Sequence, residues 1–322
     1  MTKPQIPNDV YDVVIVGGGP AGLTAGLYAA RATLKVLLIE GAASASQITV
    51  TDMIENYPGF PGGIGGFELV ETFKRQAAQF GMETTSADVK ALSAKHWADM
   101  KGWEVATSSG NYNALAVIIA TGAQWRKLGV PGEEAYIGKG VSNCATCDGP
   151  FYRNRDVVVV GGGDTAIQEA IFLTNFAKKV FVVHRRDRLR ATGILQKRAF
   201  GNEKIAFVWN AVVEEITGGP FVETVRVRDV KAPEKFTNIP AEGIFIFIGL
   251  TPNTDLVRGV CDLDKQGYIL TDPGMRTTAA GIFACGDCIQ KLLRQVITAC
   301  GDGATAAHAA QLYIEDLKGE AY

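Results

Sequence analysis

One pattern in this chain occurs twice, and it constrains the fold more than any other feature. In the first copy an apolar run from Asp12 to Val16 meets Gly17-Gly18-Gly19-Pro20-Ala21-Gly22. A helical stretch continues to about Arg31, and a second apolar run, Lys35 to Ile39, ends at Glu40. In the second copy Val157 to Val160 meets Gly161-Gly162-Gly163-Asp164-Thr165-Ala166. A helical stretch runs to Phe176, and Lys179 to Val183 ends at His184. Asp12 to Glu40 and Asp156 to His184 each span 28 positions. Each copy therefore reads as buried strand, tight glycine turn, helix and second strand. Two such units on one chain predict an α/β fold with two Rossmann-like dinucleotide-binding domains.

The glycines have separate tasks. The first lets the chain turn sharply, the second lets the backbone approach a pyrophosphate, and the third lets helix pack on strand, where alanine serves at Ala166. The helix start then offers free N–H groups and a partial positive charge. Candidate phosphate-facing residues are thus Gly17, Gly19, Pro20, Ala21 and Gly22 in one unit, and Gly163, Asp164, Thr165 and Ala166 in the other. The ends of the second strands separate two ligands. Glu40 can accept hydrogen bonds from ribose hydroxyls, which suits FAD or NAD. The second unit has His184-Arg185-Arg186 there, with Arg190 four residues on. Guanidinium groups match phosphate in shape and charge, so this unit suits the 2′-phosphate of NADPH. A solvated basic helix start would hold the same residues but would not explain their position.

The two units are not simply consecutive. Val117 to Gly122 is a buried run ending in the small turn Ala120-Thr121-Gly122. Similar endings follow at Ile244 to Gly249 and at Gly281 to Asp287. These endings predict a split FAD-binding domain, residues 1–122 and 251–322, with an NADPH-binding domain inserted at 123–250. The expected hinges are Ala123 to Lys127 and Gly249 to Asn253. Asp287, after Gly286, is placed to bond ribityl hydroxyls, and Arg294 and Gln295 are expected to open a helix near a flavin. With 32 basic and 34 acidic residues the net charge is −2, which argues against nucleic-acid binding. The N-terminus has no signal-peptide character, and the apolar runs are too short to span a membrane. A soluble, cytoplasmic protein is expected.

Six cysteines remain to be placed: Cys144, Cys147, Cys261, Cys285, Cys288 and Cys300. In a reducing compartment a close pair is catalytic or metal-binding more often than a structural staple. Cys144-Ala145-Thr146-Cys147-Asp148 has the spacing of a redox dithiol, whose chemistry needs an attackable thiolate. Zinc would need four ligands. Cys285 and Cys288 would have to complete the set, yet they straddle Gly286-Asp287, so no metal is expected. Cys261, Cys285, Cys288 and Cys300 read as small packing residues.

These features together resemble the low-molecular-weight thioredoxin reductases nearly end to end. The resemblance rests on the first glycine motif, Glu55-Asn56-Tyr57-Pro58-Gly59-Phe60, Ala120-Thr121-Gly122, Cys144 to Asp148, the second glycine motif, His184-Arg185-Arg186 with Arg190, and Gly286-Asp287 with Arg294-Gln295. It implies a homodimer with FAD in each subunit, NADPH as reductant and a thioredoxin-like protein as partner. It further implies that Cys147 faces the flavin, Cys144 attacks the substrate disulfide and Asp148 moves the proton. Gln47 and Asn56 should lie by the isoalloxazine, and the backbone near Val89 by the adenine. Lys139 stands where the family often has an arginine that touches thioredoxin. Two positions depart from the family: Ala45-Ser46 replaces a glycine pair before Gln47, and Val296 replaces an alanine after Arg294-Gln295. Because the glycine-site nucleotide and the dithiol must both reach one flavin, the inserted domain is expected to rotate about its hinges.

Other readings compete. A dithiol oxidase using oxygen would not need the arginine trio. The flavoprotein half of a peroxide-reducing system would carry an extra N-terminal dithiol domain. A non-catalytic redox sensor would not need both nucleotide sites and the dithiol. A reductase for another redoxin remains an alternative within the same chemistry.

Overall fold

The structure is a computed structural model, and it describes residues 7–41, 46–50, 54, 56–97 and 100–320, without the side chains of residues 50, 146 and 147. The chain divides into two compact units, Met1–Gln124 with Thr251–Tyr322, and Trp125–Leu250.

The first copy of the repeat forms β1 (Val10–Val16), α1 (Pro20–Arg31) and β2 (Val36–Glu40). Val13, Val14 and Ile15 are wholly buried. Burial of consecutive residues is what a parallel strand covered on both faces requires. Gly17 makes the turn at φ +120°, where a Cβ would stand 2.2 Å from the Ala120 carbonyl oxygen. Only glycine tolerates both the angle and the approach. Pro20 begins α1, and no side chain caps the helix start. The chain continues through α2 (Gly66–Ala78), β3 (Glu83–Ser86), β4 (Val89–Trp97), β5 (Met100–Thr107) and β6 (Gly110–Ile119). The sheet runs β3-β2-β1-β6-β5-β4, parallel from β3 to β6 and antiparallel from β6 to β4. A short strand, β7 (Ala123–Trp125), leaves this unit.

The inserted unit opens with β8 (Val141–Ser142) and α3 (Ala145–Asp148). The second copy of the repeat follows as β9 (Asp156–Val160), α4 (Asp164–Leu173) and β10 (Lys179–His184). The helix is shorter than the sequence suggests. Past Leu173 the chain tightens, with Thr174, Asn175 and Phe176 donating three residues back to Ile171, Phe172 and Leu173. That spacing is the tighter winding in which helices often end. Next come α5 (Gly193–Phe200), β11 (Ile205–Trp209), an antiparallel sheet of β12 (Ala211–Gly218), β13 (Val222–Asp229) and β14 (Phe236–Pro240), and β15 (Gly243–Ile246). The parallel sheet is β11-β10-β9-β15-β8. Val157 and Val159 enter one core cluster while Val158 and Val160 enter another, so both faces of this sheet are covered.

The chain returns along β16 (Leu250–Pro252), which pairs with β7. β17 (Ile282–Ala284) adds to β6 in parallel, and α6 (Val296–Lys318) packs against α1. Among the described residues no helix is long and apolar enough to cross a membrane.

Candidate active site

At the C-terminal end of β2, Glu40 accepts a 2.9 Å hydrogen bond from Lys74 on α2. Its main-chain carbonyl accepts the Ala87 N–H at 2.9 Å, which brings the segment leading to Val89 to the same strand end. A Cβ at Gly18 would stand 2.7 Å from Glu40 Cγ, so the glycine turn passes directly over this carboxylate. Gln47 begins a short turn, Gln47–Val50, and its side-chain amide donates to the Ala123 carbonyl in β7. Glu55 and Ala45 lie outside the described residues.

Asp287 sits in the turn Gly286–Cys288, after β17. Its Oδ1 is buried and has no hydrogen-bond partner. Burial pushes its carboxyl pKa up, while the Lys291 and Arg294 cations pull it down and Asp302 pushes it up again. A buried, unpaired acceptor near an uncapped helix start fits a ligand that carries hydroxyls beside a diphosphate. Arg294 does not open the helix. Its guanidinium donates to the carbonyls of Ile289 at 3.0 Å and of Asp287 and Lys291 at 3.4 Å, and lies 4.0 Å above the Tyr268 ring. It therefore holds the turn that carries Asp287. Gln295 is the N-cap residue, and its N–H donates to Thr298 Oγ1 at 3.2 Å before α6 begins at Val296.

In the inserted unit the glycine turn is clipped to the loop that carries the arginines. The Gly162 carbonyl accepts the N–H groups of Arg190 at 2.7 Å and Ala191 at 3.2 Å. Asp164, the first residue of α4, accepts the Thr192 N–H at 2.5 Å. Arg185, Arg186 and Arg190 are exposed. His184 is not, being 7% exposed. Its ring fills the space under Gly162, where a Cβ would meet it at 2.4 Å, and stands edge-on to Trp209 at 6.3 Å. Its Nε2 is buried without a partner. Burial drives its pKa down, and the three neighbouring arginines add to this against a backbone hydrogen bond at Arg188 that opposes it. The imidazole is thus neutral backing for the glycine turn and stands apart from the exposed arginines.

Cys144 is disulfide-bonded and immediately precedes α3. The side chain of Cys147 lies outside the described residues. Ser142 pins the cysteine from both sides: its Oγ accepts the Cys144 N–H at 3.0 Å and donates to the Cys144 carbonyl at 3.2 Å. Asp148 donates its N–H to the same carbonyl at 3.2 Å. Burial raises the pKa of the Tyr152 phenol, and the negative charge of Asp148 adds to this. Cys261, Cys285, Cys288 and Cys300 are free and buried. Cys288 donates to the Cys285 carbonyl at 3.2 Å. Burial raises the pKa of all four thiols, which keeps them protonated and inert. Among the described residues no group of three His, Cys, Asp or Glu side chains is placed to hold a metal ion.

Sequence reasoning missed Lys74, Ser142, Glu169, Lys291 and Asp302. The available signal was strongest for Asp302, an acid set between two glycines in an otherwise small and apolar stretch of α6. Glu169 lies on α4 with Oε2 buried and unpaired, and burial raises its pKa to about 7.

Residues 11–303 match the family model described as pyridine nucleotide-disulphide oxidoreductase. The thioredoxin reductase of Listeria innocua is 49% identical over 96% of this chain and 95% of its own length. That of Streptomyces coelicolor is 46% identical, covering 97% of both chains. Among solved structures, the thioredoxin reductase of Lactococcus lactis (FR conformation) superposes with a TM-score of 0.88 at 43% identity, over 95% of this chain and 99% of that one. The enzyme from T. acidophilum gives 0.84 at 32% identity, over 94% and 98%. The chain belongs to the pyridine nucleotide-disulphide oxidoreductases and, within them, to the thioredoxin reductases.

Proposed function

We propose that this chain is an NADPH-dependent thioredoxin-disulfide reductase, with FAD held by the first unit and NADPH by the inserted one. The observation that carries this reading is a disulfide at Cys144 in the unit that also bears an uncapped glycine turn and the exposed Arg185, Arg186 and Arg190. When bound, the two cofactors supply the hydride and the electron pair that open the disulfide.

The chain's own residues bind and orient. Gly17, Gly19, Pro20, Ala21 and Gly22 would receive the FAD diphosphate, Glu40 the ribose, and Asp287 the ribityl hydroxyls. The backbone near Val89 would border the adenine, while Gln47, Asn56, Gln295 and Val296 would border the isoalloxazine, with Ala120, Thr121, Gly122 and Gly286 closing the turn and Arg294 holding it. Gly163, Asp164, Thr165 and Ala166 would receive the NADPH diphosphate. Arg185, Arg186 and Arg190, backed by His184, would receive its 2′-phosphate.

Once reduced, Cys144 Sγ attacks the substrate disulfide, forming a mixed disulfide and releasing one substrate thiolate. Cys147 Sγ then attacks Cys144 Sγ, closing the ring and releasing the second substrate thiolate. Asp148 delivers a proton to a leaving sulfur. Two electrons pass from the dithiol to the substrate, whose two thiolates take up protons. Lys139 and its surroundings would meet the partner, a thioredoxin or thioredoxin-like protein. We also propose a cytoplasmic homodimer, and rotation of the inserted unit about β7 and β16, which exposes the dithiol to a protein-sized substrate.

The test is NADPH oxidation with a panel of thioredoxins and smaller redoxins. Turnover is expected with at least one thioredoxin, at rates well above those with NADH. Rapid oxygen consumption with a small dithiol and no turnover with any redoxin would replace this reading with that of a dithiol oxidase.

A further inference from the structure

Lys291 and Asp302 form an ion pair whose side chains are only 11% and 16% exposed. Asp302 Oδ2 also accepts the Gly286 N–H at 3.2 Å. This carboxylate lies at a joint of three elements. Gly286 has φ +79°, and a Cβ there would meet Ala21 Cβ at 2.8 Å. Gly303, the neighbour of Asp302 on α6, is tighter still, since a Cβ would meet the Ala21 carbonyl oxygen at 2.1 Å. The start of α1, the turn carrying Asp287 and the middle of α6 thus meet with no side chain between them. Asp302 ties the turn to α6 at that place.

The charge there needs an explanation. The start of α1 carries uncapped N–H groups and favours an anion. A carboxylate beside it opposes a bound diphosphate. Lys291 cancels that charge, so that Asp287, Asp302, Lys291 and Arg294 together sum to zero.

We infer that Lys291 and Asp302 are a positioning pair for the flavin nucleotide: Asp302 sets the Asp287 turn against the start of α1, and Lys291 neutralises the negative charge this places beside the diphosphate. The inference rests on the proposed function, which puts FAD at this joint.

The two partners should then be unequal. Lys291→Met leaves the Asp302 anion unpaired beside the diphosphate, and FAD affinity should fall about tenfold or more. Asp302→Asn keeps an acceptor for the Gly286 N–H and leaves a cation near the diphosphate, so the affinity should change by less than about threefold. The double variant, with neither charge, should recover most of the loss of Lys291→Met, and Lys291→Arg should bind FAD as the parent does. The readout is the fluorescence of free FAD released when the purified holoprotein is diluted. Should Lys291→Met fail to fold, Lys291→Gln removes the same charge.

Equal losses for the two single variants, adding in the double, would show a pair that only holds the fold together and would overturn the inference. Unchanged affinity in every variant would overturn it as well. A parent protein that takes up no FAD would overturn the proposed function and this inference with it, whereas a parent that holds FAD beside unaffected variants overturns the inference alone.

Discussion

The Asn56 side chain donates to Gln295 Oε1 at 2.8 Å, joining residues 239 positions apart. The bond ties the loop after the Gln47–Val50 turn to the N-cap of α6. Gln295→Ala removes both this bond and a cap residue. A lost cap costs about 1 kcal/mol, which lowers the melting temperature of a unit this size by about 2–4 °C. Asn56→Ala should cost less, and the double variant should fall short of the sum by about 0.5 kcal/mol. Thermal unfolding of the four proteins measures this. Strictly additive losses would show that the bond does not couple the two segments.

Coenzyme choice tests the arginines. Replacing Arg185, Arg186 and Arg190 with alanine, one at a time, should raise KM for NADPH about tenfold each, the value of a charged hydrogen bond. NADH has no 2′-phosphate, so its KM should hardly move. Steady-state kinetics with both coenzymes decide the matter, and parallel losses would mark the loop as structural. His184→Asn should behave differently, weakening both coenzymes together, because its ring supports the Gly162 turn.

The dithiol has its own signature. Cys144→Ser should abolish thioredoxin reduction while NADPH still bleaches the flavin absorbance. Cys147→Ser should trap thioredoxin through Cys144 as a disulfide-linked complex, visible on a non-reducing gel. Cys285→Ala with Cys288→Ala should retain turnover, since both thiols are buried and protonated. Loss of turnover in that variant alone would transfer the chemistry to the second pair.

Glu169 gives stability a pH dependence of known sign. Its folded pKa of about 7 lies above the ordinary 4.5. Below the lower value the group is protonated in both states and costs nothing. As pH rises through this window, the folded chain keeps a proton that the unfolded chain releases, and stability falls. Above the upper value the cost is constant, on the order of 3 kcal/mol. Glu169→Gln should therefore raise the melting temperature at about pH 8 and leave it nearly unchanged at about pH 4, below both titrations. An equal shift at both values would assign the effect to packing instead of ionisation.

The βαβ units at β1–α1–β2 and β9–α4–β10 were legible because short apolar runs ended in glycines, which the backbone approaches of Gly17 to Ala120 and of Gly161 to Phe247 require. The β12–β14 sheet was not. Register shifts between Val213 and Glu215, and again at Thr217, break the alternation that marks a half-buried strand. Within the site, the residue types at Glu40 and Asp287 announced themselves by position. The tasks of Arg294 and His184 did not. Arg294 acts through Tyr268 and the Ile289 carbonyl, and His184 through Gly162 and Trp209. Such contacts exist only once distant segments have met, and local pattern carries no trace of them.

The pairing of β7 with β16 has a practical consequence. The chain enters and leaves the inserted unit along neighbouring strands, which lie about 4.8 Å apart. The unit is therefore a cassette with adjoining ends. A short turn joining Gln124 to Thr251 would close the gap left by its removal, and residues 125–250 could be circularised or grafted into another scaffold that offers a two-stranded seam.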